Sequence, residues 1–231
     1  MFTTIRLATF NIRHGESRAG TLDLPLLYQS CADLNVDVLA LQEVDRRMRR
    51  TRWVDTSARV GRRSGMARAF GPALRKGRFG RYGNALFVRG TISDVEVLPL
   101  PKLHPEPRAG LVATAATGGR SLSIAVTHLS THLDERDQQL SALLEALGKR
   151  PGPRVLCGDL NGPNEDVKAL IEAAGYGLVT AGPTFPGSGP TKQIDHVAVA
   201  GLDIVNAWVP DIPVSDHRPL VVELAAPPAS P

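Results

Sequence analysis

The sequence predicts a layered α/β domain, with helices outside and two sheets, or one mixed sheet, inside. Two observations carry that expectation. Ten short runs rich in Val, Ile, Leu and Thr are bounded by Gly, Pro, Asn or Asp, and four helical stretches are interspersed among them. No internal repeat and no long linker interrupts the pattern.

Taken in chain order, the first strand is expected at Ile5–Ile12, followed by a helix at Leu24–Leu34 and a strand at Val36–Val44. A helix at Asp55–Arg63 precedes four strands at Asn84–Val88, Ile92–Leu98, Leu111–Ala116 and Leu122–Thr127. The clearest helix is Asp134–Leu147: Leu140, Leu143, Leu144 and Leu147 recur at i, i+3, i+4 and i+7, and Gly148 sits where a C-terminal cap belongs. Arg154–Cys157 follows as a strand, then a helix at Asn164–Ala174 ahead of Gly175. Strands at Ile194–Val199, Ile204–Trp208 and Leu220–Leu224 complete the set. Pro99–Pro107 and Gly182–Pro190 are loops beside candidate site residues, suited to lining a cleft, and Ala225–Pro231 is a loose terminus.

A chain of 231 residues with 42% apolar content builds one large domain, expected over residues 1–224 with a tail at 225–231. No run approaches the roughly 18–20 apolar residues of a membrane span, and Met1-Phe2-Thr3-Thr4-Ile5-Arg6 lacks a signal layout, so a cytoplasmic location is expected. Cys31 and Cys157 are expected as small buried thiols. A net charge of +4 favours an anionic partner.

Polar residues recur at the strand ends, where packing does not ask for them. Asn11 closes the first strand and Gln42-Glu43 the second; His128 follows Leu122–Thr127; Asp159 and Asn161 follow Val155-Leu156-Cys157. Asp195-His196 interrupts the next strand, and Asp216-His217 precedes the last. Converging on one edge, these residues make a pocket of carboxylates, amides and imidazoles. Carboxylate and amide oxygens are hard donors that suit Mg²⁺ or Mn²⁺ rather than zinc, and no Cys/His cluster has zinc spacing. Phosphoester hydrolysis needs such an ion, a base for water and an acid for the leaving group. His217 beside Asp216, with Asp195 available to hold an imidazole tautomer, fits a base, and His128 is free to donate to phosphate.

Seven segments in order carry a resemblance: Thr9-Phe10-Asn11-Ile12-Arg13-His14-Gly15, Leu41-Gln42-Glu43-Val44-Asp45, Tyr82-Gly83-Asn84-Ala85, Thr127-His128-Leu129, Gly158-Asp159-Leu160-Asn161, Ile194-Asp195-His196 and Ser215-Asp216-His217-Arg218-Pro219. Together they resemble the motifs of the endonuclease/exonuclease/phosphatase superfamily, with its DNase-I-like fold, over Ile5–Leu224. The resemblance implies a four-layer α/β sandwich in which two central mixed β-sheets are flanked by helices. It implies one divalent ion, Mg²⁺ or Mn²⁺, held chiefly by Glu43 with Asn11 and Asp216 near it. Asp159 and Asn161 would position or activate water and bind phosphate, while His217, oriented by Asp195, and His128 would contact phosphoryl oxygens. Which group is the base stays open. Tyr82, Asn84 and Arg108, the last in a loop able to reach a phosphate bidentately, are expected at the substrate. Many nuclease-like members carry an Asp where this chain has Arg13, which argues against a second metal.

Single residues read more plainly in isolation. Asn11 and Asn161 alone would pass as turn residues, and His14, His104, His132 and His196 are expected in structural roles. The basic segment Arg46–Arg81 suits either a solvated face or a phosphate-binding rim. The leading expectation is a metal-dependent phosphoesterase acting on a phosphodiester or phosphomonoester, either nucleic acid or a small or lipid-derived phosphate, with no obligate protein partner. The alternative is a catalytically silent module that holds nucleic acid through the 46–81 face.

Overall fold

The computed structural model describes residues 4–225. β1 (Ile5–Asn11) leads through a short 3₁₀ turn (Arg13–Gly15) to α1 (Leu24–Asp33) and β2 (Val38–Arg46). α2 (Thr56–Ser64), β3 (Ala67–Lys76), β4 (Gly80–Val88), β5 (Thr91–Pro99), β6 (Ala109–Thr117) and β7 (Arg120–His128) follow. α3 (Leu133–Gly148), β8 (Arg154–Asp159), α4 (Asn164–Ala173), β9 (Gly177–Leu178), β10 (Asp195–Ala200), β11 (Asp203–Trp208) and β12 (Leu220–Ala225) complete the order. Side chains fix the starts of the first two helices: Asp23 accepts from Leu26 N at 3.0 Å and Asp55 from Ala58 N at 2.9 Å, satisfying amides with no partner inside the helix.

The strands form two six-stranded sheets, ordered β11-β12-β1-β2-β4-β3 and β5-β6-β7-β8-β10-β9. Only β1·β2 and β7·β8 are parallel. Those are the pairs joined through α1 and α3, as a parallel connection requires a crossover. Alternate side chains of each central strand enter different cores. Leu7, Val38, Leu86, Ile124, Val155 and Val197 meet between the sheets. Phe10, Leu39, Leu41 and Phe87 face Leu27 of α1 and Val60 of α2, while Val112, Leu156 and Ala198 face Leu140, Leu143 and Ile171 of α3 and α4. Helix, sheet, sheet and helix thus stack as four layers, and strands buried on both faces read as nearly continuous apolar runs. Phe10, wholly buried, would cost about 3–5 kcal/mol if cut to Ala.

The main departure from the sequence expectation is β3. It carries Gly71 and Pro72, with a register shift between Pro72 and Leu74, and the structure tolerates them because β3 is an edge strand. Its hairpin with β4 also extends β4 back to Gly80, ahead of the expected Asn84. Ala225, expected in the tail, ends β12 opposite Asp203, and residues 226–231 lie outside the described ones. Both cysteines are buried and free. No helix among the described residues is long and apolar enough to cross a membrane.

Candidate active site

The topology gathers the polar strand ends. Parallel strands β1/β2 and β7/β8 finish where their antiparallel neighbours β4, β6, β10 and β12 begin, so one edge of the sandwich collects residues from distant parts of the chain. In register, His128 pairs with Asp159 and Asp159 with Asp195, a row of three across β7, β8 and β10. On the other sheet Asn11 pairs with Gln42, just ahead of Glu43.

Side chains then join the two sheets. Asn11 Nδ2 donates to Glu43 Oε1 at 3.1 Å and to Asp159 Oδ2 at 2.9 Å. His217 Nδ1 donates to Asp195 Oδ2 at 2.8 Å, and its Nε2 lies 3.7 Å from Asp159 Oδ2. His128 Nε2 reaches within 3.4 Å of the same Asp159 oxygen. The loop before β12 is tied down as well: Ser215 Oγ donates to Asn11 O at 2.7 Å and accepts from His217 N at 3.2 Å. Glu43, Asn11, Asp159, His217 and Asp195 therefore form one connected polar chain at the mouth of the seam between the sheets.

The backbone is bent to make this possible. Between Leu41 and Val44 the β2·β4 register shifts, and Glu43 within the bulge has φ 58°, which re-aims its side chain. Asn161 (φ 51°) and Ser215 (φ 69°) also occupy the left-handed region, a cost of order 1–3 kcal/mol each that persists where the surroundings over-determine it. Gly158, at φ 151°, packs so closely on the Thr127 carbonyl that a Cβ would collide with it.

Burial and proximity set the charges. Burial opposes ionisation of Glu43, yet the imidazoles of His14 and His128 and the Asn11 amide hold it down at about 2, so it is anionic. Burial and the Asp195 carboxylate push Asp159 up to about 7. His217 is opposed by burial, but Asp195 and Asp159 outweigh it and raise the ring to about 10. Burial, reinforced by Arg108, lowers His128 to about 3 and keeps it neutral. Burial and Glu43 push the Tyr82 phenol above its ordinary range, so it stays a donor.

Two donor sets could serve a cation. Asp159, Asp195 and His217 present ligand atoms within 4.8 Å of one another and could hold a metal. In that group, however, Asp195 Oδ2 and His217 Nδ1 already satisfy each other. Glu43 is the better fit: it is an anionic carboxylate with no Lys or Arg ion pair among the described residues, hydrogen-bonded to Asn11 and 3.9 Å from the His14 ring. Such an oxygen suits a hard divalent ion.

Not every expected residue joins the connected chain. Asp216 is half-exposed, and its carboxylate lies 3.5 Å from Arg13 rather than against Glu43. Asn161 spends its amide on Leu129 O at 2.8 Å while its N–H binds Asp159 Oδ1 at 3.0 Å, so it holds the loop behind Asp159. Asn84 donates to Ala109 O at 2.8 Å, tying β4 to β6 across the sheets. Arg108 is buried and paired with Glu106 at 3.1 Å. Of the histidines expected to be structural, His196 binds Gly162 O at 2.7 Å and His104 stacks on His132 at 3.6 Å, while His14 instead faces Glu43. Nothing in the sequence pointed to Arg136, buried in α3, whose guanidinium donates to Asn161 O and Asp166 at 3.2 Å, whereas Phe185 belongs to the 182–190 loop expected beside the site, and its ring packs 4.9 Å from His217.

The architecture and this site define a class, and the comparisons agree with it. The pattern of the Endonuclease/Exonuclease/phosphatase family matches residues 8–217, and the chain belongs to that family. Its members are generally phosphoesterases that use a divalent metal and act on phosphate esters, metal-dependent nucleases and phosphatases among them. A UPF0294 protein of Vibrio vulnificus (strain YJ016) is 31% identical over 130 residues, 52% of this chain and 46% of that protein. The match thus spans less than half the length of that curated relative. Among solved structures, an endonuclease/exonuclease/phosphatase from Beutenbergia cavernae DSM 12333 superposes with a TM-score of 0.79 at 22% identity, covering 98% of this chain and 72% of that one. The human Nocturnin catalytic domain, solved with a bound sulfate anion, gives 0.74 at 20% identity, covering 98% and 97%. At these identities the likeness is one of fold.

Proposed function

We propose that residues 1–224 form one domain, a phosphoesterase that hydrolyses a phosphodiester or phosphomonoester with one Mg²⁺ or Mn²⁺ ion. The observation that carries the proposal is the connected chain Glu43–Asn11–Asp159–His217–Asp195, which sets an anionic oxygen donor, a poised carboxylate and a cationic imidazole side by side. Glu43, with Asn11 bonded beside it, would hold the ion, and Asp216, which lies against Arg13, would complete the donor set. When bound, the ion polarises the phosphoryl oxygen and offsets developing negative charge.

The chain's own residues supply the remainder. Asp159, raised to about 7, is matched to accept a proton from the attacking water near neutral pH. His217 is protonated at that pH, so it serves as a cationic donor to a phosphoryl oxygen, and Asp195 fixes its orientation. His128, neutral, is a second donor, and Arg108 and Tyr82 flank the substrate. Asn161 and Asn84 act by holding the loop after Asp159 and the start of β6. The sulfate in the Nocturnin domain, a tetrahedral anion like phosphate, is consistent with phosphate recognition on this fold. The test is a phosphoester panel run with Mg²⁺, with Mn²⁺ and with chelator. Metal-stimulated, chelator-sensitive release of product is expected; turnover indifferent to chelator would refute the proposal.

A further inference from the structure

The basic segment Arg46–Arg81 is not one uniform face. Arg46 is committed to Asp55 at 2.9 Å, Arg50 grips the buried Asp45 through bonds of 2.8 and 2.9 Å, and Arg68 donates to Ser57 at 3.1 Å. Arg47, Arg78 and Arg81 make no ion pair among the described residues. With Arg46 and Phe79 they line a recess of about 290 Å³ that has no acid among its described lining residues. Phe79 is 52% exposed, with the Arg78 guanidinium 5.2 Å from its ring centroid.

The recess lies farther along the same two strands, β2 and β4, that carry Glu43 and Tyr82. Arg46 and Arg81 are partners in the β2·β4 register, and the next pair back is Asp45 with Tyr82. Glu43 precedes Arg46 by three residues on β2, about 10 Å at the rise of a strand. A chain-like substrate with one phosphate at Glu43 would thus carry a neighbouring phosphate toward the recess.

We propose that Arg47, Arg78, Arg81 and Phe79 form a subsite for single-stranded nucleic acid, the arginines taking a backbone phosphate and Phe79 an unpaired base. This rests on the phosphoesterase reading and names its substrate class. Three guanidiniums without an acidic partner among the described residues supply phosphate contacts, Arg81 giving one N–H to Gly80 O at 2.9 Å and keeping the others. An exposed aromatic ring at a hairpin tip offers a stacking face that a duplex, its bases already stacked, cannot use.

The test is fluorescence anisotropy of a short labelled oligothymidylate with chelator present, titrated with salt, for the wild type, the double variant Arg78→Ala/Arg81→Ala, and Phe79→Ala. The double variant should flatten the plot of log K against log salt by about 0.7, the value for one phosphate contact on a single strand. Phe79→Ala should weaken binding roughly 5- to 100-fold with the slope kept. Metal-dependent turnover of bis(p-nitrophenyl) phosphate should be unchanged in both. If the wild type does not bind the oligonucleotide, if both variants bind it as the wild type does, or if the variants lose only affinity for phosphatidylserine vesicles, the subsite is wrong. A wild type that binds oligonucleotide through these residues but never turns over the small ester retains the subsite and removes the phosphoesterase reading instead.

Discussion

The catalytic edge and the arginine rim begin three residues apart on β2, at Glu43 and Arg46, yet charge is held in opposite ways in the two places. At the edge, Asn11, Asp159, Asp195 and His217 are buried, and every one of them bonds to another residue of the cluster. On the rim, Arg47 and Arg78 are exposed and have no acidic partner among the described residues. A buried charge must be compensated or it is lost, so the edge specifies one geometry. An exposed guanidinium remains hydrated and available, so the rim offers affinity without fixed geometry. The difference predicts that edge substitutions alter chemistry or folding, whereas rim substitutions alter neither.

The largest effect should come from Asp159→Asn, which removes the proposed proton acceptor: kcat should drop on the order of 10³-fold, measured on a small phosphodiester, with the far-UV spectrum unchanged. Gly158→Ala tests the edge's packing, since the new Cβ meets the Thr127 carbonyl. A loss of about 3 kcal/mol in denaturant unfolding is expected there, and a loss near zero would show that the row His128–Asp159–Asp195 is looser than described.

Asp195→Asn should lower kcat about 10²-fold by freeing the His217 ring, and it should also change the pH profile of stability. In the wild type the folded pKa of His217 is raised, to about 10 from an ordinary 6.5. Its contribution is therefore fully present below about 6.5 and lost as pH rises toward 10. Denaturation midpoints should fall over that window in the wild type and flatten in Asp195→Asn. At the small end, Arg78→Ala should leave stability within about 0.5 kcal/mol. A larger loss there would erase the contrast between edge and rim.

Much of the edge was legible because its chemistry conflicts with its surroundings. Glu43 after Val38-Leu39-Ala40-Leu41, and Asp159 after Val155-Leu156-Cys157, are acids where packing wants none, and those conflicts located the site. The central strands were legible for the opposite reason, as apolar runs between turn residues. β3 was hidden because Gly71 and Pro72 break a strand pattern that an edge position tolerates. His14 was hidden because only the 3₁₀ turn after β1, with φ 47° at that residue, swings its ring toward Glu43. The working parts of Asn84 and Asn161 went unseen because their amides bond backbone carbonyls remote in sequence. The division of the arginines depends on which ones find Asp45 or Asp55, a tertiary fact.

The central claim is that Glu43 and His217 belong to one hydrolytic centre. It is tested most directly by Mg²⁺-dependent hydrolysis of bis(p-nitrophenyl) phosphate by the wild type, Glu43→Gln and His217→Ala at matched folding. Each variant should lose at least about 100-fold in kcat/KM, and chelator should abolish the wild-type rate. If either variant turns over substrate at the wild-type rate, the centre is assigned to the wrong residues.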